Sequence, residues 1–219
     1  MWAYIGVRPL KHKKTMEETF NPNNQEMPRN REIRRAARYA LKGNWTQAVL
    51  ATLVFTLITA AAGSIPFAGL LVVCPLEFGF MLCFLRLVRG EDSSEMVGDQ
   101  FNVFSKYGRY LGGSLLMALY IVLWCLLLII PGIVKSYAYA MTPYVMNDHP
   151  ELDADDCIHE SRMMMKGNKW KLFCLDLSFI GWAILCLFTL CIGFLWLQPY
   201  IEASHAKFYE ELKARRVQA

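Results

Sequence analysis

The stretch from Leu111 to Tyr144, LGGSLLMALYIVLWCLLLIIPGIVKSYAYAMTPY, leaves a chain few choices of fold. Its first part, Leu111 to Ile130, carries no charged side chain, and as a helix rising ~1.5 Å per residue it matches the ~30 Å hydrocarbon core of a bilayer. Pro131-Gly132 then interrupts it, because proline has no backbone N–H and glycine tolerates a reversed φ. A second apolar stretch follows at once. The pattern predicts a helical hairpin that crosses a membrane twice.

Composition agrees. The chain is 55% hydrophobic and 13% aromatic, with a mean hydropathy of +0.25, whereas soluble domains run about 45–50% apolar with glycine counted in. The net charge is +4. Every Lys and Arg except Lys135 falls in the tails, in polar connections or at the adjoining ends of apolar blocks. That asymmetry is an orientation signal and argues against nucleic acid as a partner. The seven cysteines include no C-x-x-C pair, and all but Cys157 lie in apolar blocks, so they read as small apolar residues and not as a disulfide framework. The basic Lys11-His12-Lys13-Lys14 leads into polar sequence, unlike a signal peptide.

In order along the chain, residues 1–28 are polar and rich in Asn, Pro and Lys, which predicts a disordered tail; Met16 and Met27 offer alternative starts to Met1. REIRRAARYALK, Arg31 to Lys42, places Ile33, Ala36, Ala37, Ala40 and Leu41 at helical spacing, with Arg31, Arg34, Arg35, Arg38 and Lys42 on the other side. This is the pattern of a basic amphipathic helix suited to an anionic membrane surface. Spans are expected from Trp45 to Ala62 and from Phe67 to Val88, joined by the turn at 63–66. A second surface helix is expected between Arg89 and Tyr110, with Val97, Phe101 and Phe104 on its apolar face. The central hairpin follows. A third surface helix lies within Asn147 to Lys171, with Ala154, Ile158, Ser161 and Met165 on one face. The last hairpin spans Leu172 to Leu190 and Ile192 to Tyr209, and a basic tail, 214–219, closes the chain.

These pieces repeat. Lys42-Gly43-Asn44 before Trp45 and Lys166-Gly167-Asn168 before Trp170 recur at the same offset as Pro75 and Pro199, and Thr142-Pro143-Tyr144 resembles Gln198-Pro199-Tyr200. The expected architecture is an all-α polytopic membrane protein, a domain at 29–213 of six transmembrane helices arranged as three pseudo-repeated hairpins, each preceded by an amphipathic surface helix. The short turns lack Lys and Arg while the tails and long connections are rich in them, so both termini are expected in the cytoplasm.

REIRRAARYALKGNW, LWCLLLIIPGIVKSYAYAMTPYVMNDHP and LSFIGWAILCLFTLCIGFLWLQPYIEASHAKFYEEL together resemble the bacterial integral membrane proteins grouped as domain of unknown function 975, over about residues 29–213. The resemblance implies a multi-span protein of the bacterial inner membrane, distantly similar to the membrane domains attached to some glycerophosphodiester phosphodiesterases. It supplies no catalytic residues.

Ionisable side chains inside spans are the candidates for chemistry, because a charge near the bilayer centre costs ~2.5–3.5 kcal/mol on insertion scales. Glu77 and Glu202 follow Pro75 and Pro199 closely, where a proline frees a carbonyl and bends the helix. They read either as a proton- or cation-responsive pair or as hydrogen-bonded links between spans. His205, one turn after Glu202, extends a candidate intramembrane polar site that also takes in Lys135, although Lys135 and Asp176 lie near span ends and read as snorkelling. The acidic group Asp148, His149, Glu151, Asp153, Asp155, Asp156, His159 and Glu160 fits no EF-hand and is accounted for by helix capping and dipole stabilisation. Met163-Met164-Met165 cannot share one helix face. Phosphate-loop, nucleophile-elbow and zincin motifs are absent from the sequence, so no catalytic residue, metal or cofactor is expected. Three functions remain: a non-enzymatic protein that organises or senses lipid, a second copy of itself or a membrane-protein partner through its surface helices, with Arg31, Arg34, Arg35, Arg38 and Lys42 toward anionic head groups; a small transporter or permease using Glu77 and Glu202; or an enzyme acting on lipid head groups, which would require polar residues gathered at one membrane depth.

Overall fold

The computed structural model describes residues 27–64, 68–91, 95–189 and 192–217. Most of the expected N-terminal tail and the tips of the first and last hairpins lie outside the described residues. Within those residues the chain is helical and has no strand. The elements are α1 (Asn30–Leu41), α2 (Trp45–Gly63), α3 (Ala68–Arg89), α4 (Met96–Asp99), a 3-10 turn (Asn102–Lys106), α5 (Tyr107–Leu127), α6 (Ile129–Tyr139), α7 (Thr142–Asp148), α8 (Ala154–Met164), α9 (Lys169–Phe188) and α10 (Phe194–Val217).

Among the described residues four helical stretches are long and apolar enough to cross a membrane: Trp45–Gly63, Leu71–Arg89, Met96–Leu127 and Lys169–Phe188. They divide into two layers. In the stretches containing α2, α5 and α9 only 17%, 17% and 22% of residues are buried, against 50% in α3. Inside, α3 packs on α10 and α7, and the core is built from Phe78, Phe80 and Phe84 of α3, Tyr144 and Val145 of α7, and Tyr200, Ala203 and Phe208 of α10. The helices α2, α5 and α9 thus face outward, with residues such as Leu57, Leu123 and Leu185 exposed, while α3, α7 and α10 supply the core. That is the arrangement expected where lipid, and not water, wets the outer helices.

The other two expected spans fall short of the length and hydropathy that the four satisfy, for different reasons. The middle return run is divided into α6 and α7, of 11 and 7 residues. In α10, Gln198, Glu202, Ser204, His205 and the charges beyond dilute an apolar start. The central hairpin also turns earlier than expected. Leu128, extended at φ −161°, ψ 136°, separates α5 from α6, and Pro131 sits in the first turn of α6, where a missing N–H leaves no acceptor unsatisfied. Pro131-Gly132 therefore opens the return helix and does not end the outgoing one. Gly132 is needed there, because a Cβ would run into Cys125 of α5.

Both Lys-Gly-Asn junctions have the same backbone. Gly43 and Gly167 adopt φ 97° and 83°, a region that glycine enters without steric penalty, and Asn44 (φ −114°, ψ 13°) and Asn168 (φ −108°, ψ −3°) then lead into α2 and α9. The expected second surface helix is instead the short α4 followed by the 3-10 turn; its fully buried residues are Met96, Gln100 and Val103, while of the expected face Val97 and Phe104 pack partly buried against the core and Phe101 is exposed. The cause is a close approach: the Gln100 carbonyl rests directly against Gly79 of α3, where any Cβ would overlap it. In α8, Ile158 and Ser161 turn inward as expected, and Met165 just after it is buried too; the Ser161 hydroxyl donates to the Ala138 carbonyl at 2.9 Å. The C-terminal helix runs past residue 213 to Val217, where Arg216 pairs with Glu160 of α8.

Candidate functional site

The polar residues Gln198, Glu202, His205, Tyr209 and Lys213 recur every three or four positions along α10, and that spacing aligns them on one helix face. The stripe begins beside Pro199. A proline inside a helix gives no N–H to the carbonyl four residues back, and the same gap at Pro75 is filled from outside: the Tyr107 hydroxyl donates to the Leu71 carbonyl at 3.0 Å. Pro75, Pro143 and Pro199 are all buried.

Glu202 is the centre of the site. Its side chain is enclosed at 9% exposure. Gln198 Nε2 donates to Oε1 at 3.1 Å, while Oε2 is buried without a hydrogen-bond partner among the described residues. Other helices converge on it: Glu77 of α3, Asp176 of α9 and Tyr144 of α7 lie within electrostatic range. The Tyr144 and Thr142 hydroxyls are likewise buried and unpartnered. One turn along α10, His205 Nε2 meets Asp176 Oδ1 at 2.6 Å, and the Tyr137 hydroxyl of α6 lies within electrostatic range of Asp176.

Of the expected polar residues, Glu202 and His205 come together, and Glu77 stands within electrostatic range but open at the bundle surface. Lys135 does not join them; its ammonium lies 4.3 Å from the centroid of the Trp124 ring, a cation–π contact within the α5–α6 hairpin. Asp176, expected to snorkel, is instead held by His205. Sequence spacing does not single out Gln198 or Tyr137, and it places Asp176 near a span end without linking it to His205. The four-residue step from Gln198 to Glu202 was the available signal for Gln198, whereas nothing in sequence spacing links Asp176 or Tyr137 to α10.

A groove of about 500 Å³ lies beside the stripe, between α2 and α10. Thr52, Phe55, Thr56 and Thr59 line one wall, and Phe194, Leu195 and Gln198 the other. The Thr52 and Thr56 hydroxyls donate back to their own helix, to the Ala48 and Thr52 carbonyls, at 2.8 Å each. Gln198 separates the groove from Glu202.

A second cluster closes the opposite end of the return helices. Asp148, at the end of α7 with a side chain 6% exposed, accepts from Arg89 of α3 at 2.6 and 2.8 Å, from the Tyr209 hydroxyl at 2.9 Å and from Lys213 at 2.6 Å. Burial pushes the Asp148 carboxyl up, but the hydrogen bonds from Arg89, Lys213 and Tyr209 outweigh it and hold the group well below the usual carboxylate range. Arg89 also bonds Glu210 at 2.9 Å. The rest of the acidic connection disperses: Glu151 pairs with His149 and Asp155 with Tyr120, both at 2.9 Å, and Asp153, at the cap position of α8, makes no side-chain cap bond. No group of three metal-ligating side chains occurs among the described residues.

The basic helix differs from its expected placement. Ile33, Ala37 and Leu41 of α1 are buried within the protein, against α10, α3 and α9, and not left for lipid. Arg38 donates to the Tyr200 hydroxyl at 3.1 Å and lies over its ring, and Arg34 lies over Phe179. Arg31, Arg35, Arg38 and Lys42 remain exposed.

The family described as protein of unknown function (DUF975) matches this chain twice, over residues 27–135 and 126–216. No curated protein and no solved structure matches it.

Proposed function

We propose that this chain, which belongs to the family described as protein of unknown function (DUF975), is a six-span protein of a bacterial cytoplasmic membrane with both termini in the cytoplasm, and that it works as a small permease in which Glu202 exchanges a proton. The six spans are α2, α3, α5, α6 with α7 as far as Met146, α9, and α10 as far as about Tyr209, three hairpins on one repeated plan. The matching backbones at Gly43 and Gly167 support the repeat, and the gathering of Lys and Arg outside the apolar runs supports the orientation.

One observation carries the functional reading: Glu202 is enclosed among the return helices with one carboxylate oxygen bonded and the other bare. A buried charge that is not fully paired is unstable in a low-dielectric interior, so a proton arriving or leaving there changes the local energy strongly. The groups facing it are Glu77, Tyr144, Asp176 and His205, with no lysine or arginine among them. Glu77, open at the surface, is placed to pass the proton on. The test is potential-driven proton uptake into liposomes that hold the full chain and trapped pyranine. Wild type is expected to exceed empty liposomes severalfold and Glu202→Gln to fall to the empty-liposome rate. Uptake by the variant equal to wild type, or none by wild type, overturns the reading.

A second reading, contact with anionic lipid head groups or a membrane partner, is favoured by the exposed Arg31, Arg35, Arg38 and Lys42 on α1. It predicts that the full chain retains phosphatidylglycerol in native mass spectra and that replacing these four residues with Gln removes the adduct; retention by the variant refutes it.

A further inference from the structure

We propose that the groove between α2 and α10 binds a small organic monocation with an apolar body, and that Glu202, reached through Gln198, supplies the counter-charge. This rests on the permease reading and names the class of its cargo. The groove's polar atoms are arranged as acceptors. Thr52 and Thr56 have spent their hydroxyl protons on their own helix and present lone pairs. Gln198 has turned its amide N–H toward Glu202, which leaves its carbonyl oxygen for the groove. The Leu195 carbonyl receives no N–H from Pro199. Thr59 Oγ1 is buried and unpartnered, and no Lys, Arg or His among the described residues lines the space.

A mostly apolar groove whose few polar atoms accept hydrogen bonds, with a buried carboxylate behind it that has one oxygen unpartnered, repels anions and favours a cation. The kind of cation follows from the walls. Phe55 and Phe194 line it with aromatic rings, and Phe55 is held by stacking one face on Phe80 at 4.4 Å. Aromatic faces attract organic cations while also accepting an apolar body. A volume of about 500 Å³ is that of a small-molecule site, within the usual ~300–1,000 Å³, and far exceeds one bare ion. The occupant to be distinguished is a lipid acyl chain, which would fill the same groove with no use for Glu202 or for the acceptors.

The test is equilibrium binding of tritiated tetraphenylphosphonium to the full chain in detergent, with triphenylphosphine oxide as a neutral competitor of similar rings. Saturable binding is expected, weakened at least tenfold by Glu202→Gln, weakened severalfold by Phe55→Ala, and unaffected by the neutral competitor. Gln198→Leu, which cuts the link to Glu202 without touching the carboxylate, is expected to weaken binding as well and serves if Glu202→Gln fails to fold. Absence of saturable binding, or equal binding by a folded Glu202→Gln or Gln198→Leu protein, or full competition by triphenylphosphine oxide, overturns the proposal; the last identifies an acyl-chain crevice. Loss of this cargo with Glu202-dependent proton uptake intact leaves the permease reading standing, whereas binding without uptake removes proton exchange and keeps the site.

Discussion

Replacing Asp148 with Ala tests whether the ends of three return helices are held by one carboxylate. Asp148 accepts hydrogen bonds from Arg89 of α3 and from Tyr209 and Lys213 of α10 while itself ending α7. Removing one partner of a buried ion pair costs about 3–5 kcal/mol, because the remaining charge is stranded. Here Lys213 is 43% exposed and can rehydrate, and Arg89 keeps Glu210 at 2.9 Å, so the expected loss is smaller, about 2–3 kcal/mol. At roughly 2–4 °C per kcal/mol for a chain of this size, Tm falls by roughly 4–12 °C. Asp148→Asn keeps an acceptor and loses less. The sign with pH follows from the depressed carboxyl: its contribution is complete above the unfolded value of ~3.9 and drains away as pH falls from there through the folded value. The difference between wild type and Asp148→Ala is therefore full at neutral pH and narrows below about pH 4. Scanning fluorimetry of the full chain in detergent across that range measures it. A Tm within about 2 °C of wild type at neutral pH, or a difference that stays constant as pH falls, refutes the reasoning.

Two further outcomes are expected. Gly79→Ala must push α3 away from the Gln100 carbonyl and is expected to destabilise by about 1–3 kcal/mol, whereas Gly181→Ala, with open space around it, is neutral or slightly stabilising through helix propensity; equal melting temperatures for the two variants would count against the close approach. In a cysteine-free background, Ser64→Cys and Leu128→Cys are expected to react with an impermeant maleimide added to intact cells, and Asn44→Cys only after lysis, and the reverse pattern would sink the proposed orientation.

What could be read along the chain was local. Uninterrupted apolar runs announce helices that lipid can surround, and Gly43 and Gly167 mark places where φ turns positive, because each depends on neighbouring residues alone. The spacing of Glu202 and His205 on one helix was visible for the same reason. Their partners were not: Asp176 and Tyr137 reach the site from α9 and α6, and no periodicity says which helix lies beside which. Periodicity also showed that α1 has one apolar face but not what covers it, and burial of Ile33, Ala37 and Leu41 against α10 gives that face to protein. The break at Leu128 sets Gly132 against Cys125, and the inward turn of Gln100 sets its carbonyl against Gly79, contacts that no local pattern announces. Sequence thus determined which segments lipid can surround, since transfer into hydrocarbon depends on side chains one at a time, whereas tertiary structure decided which polar groups meet, since a buried hydrogen bond requires two distant residues to arrive at one place.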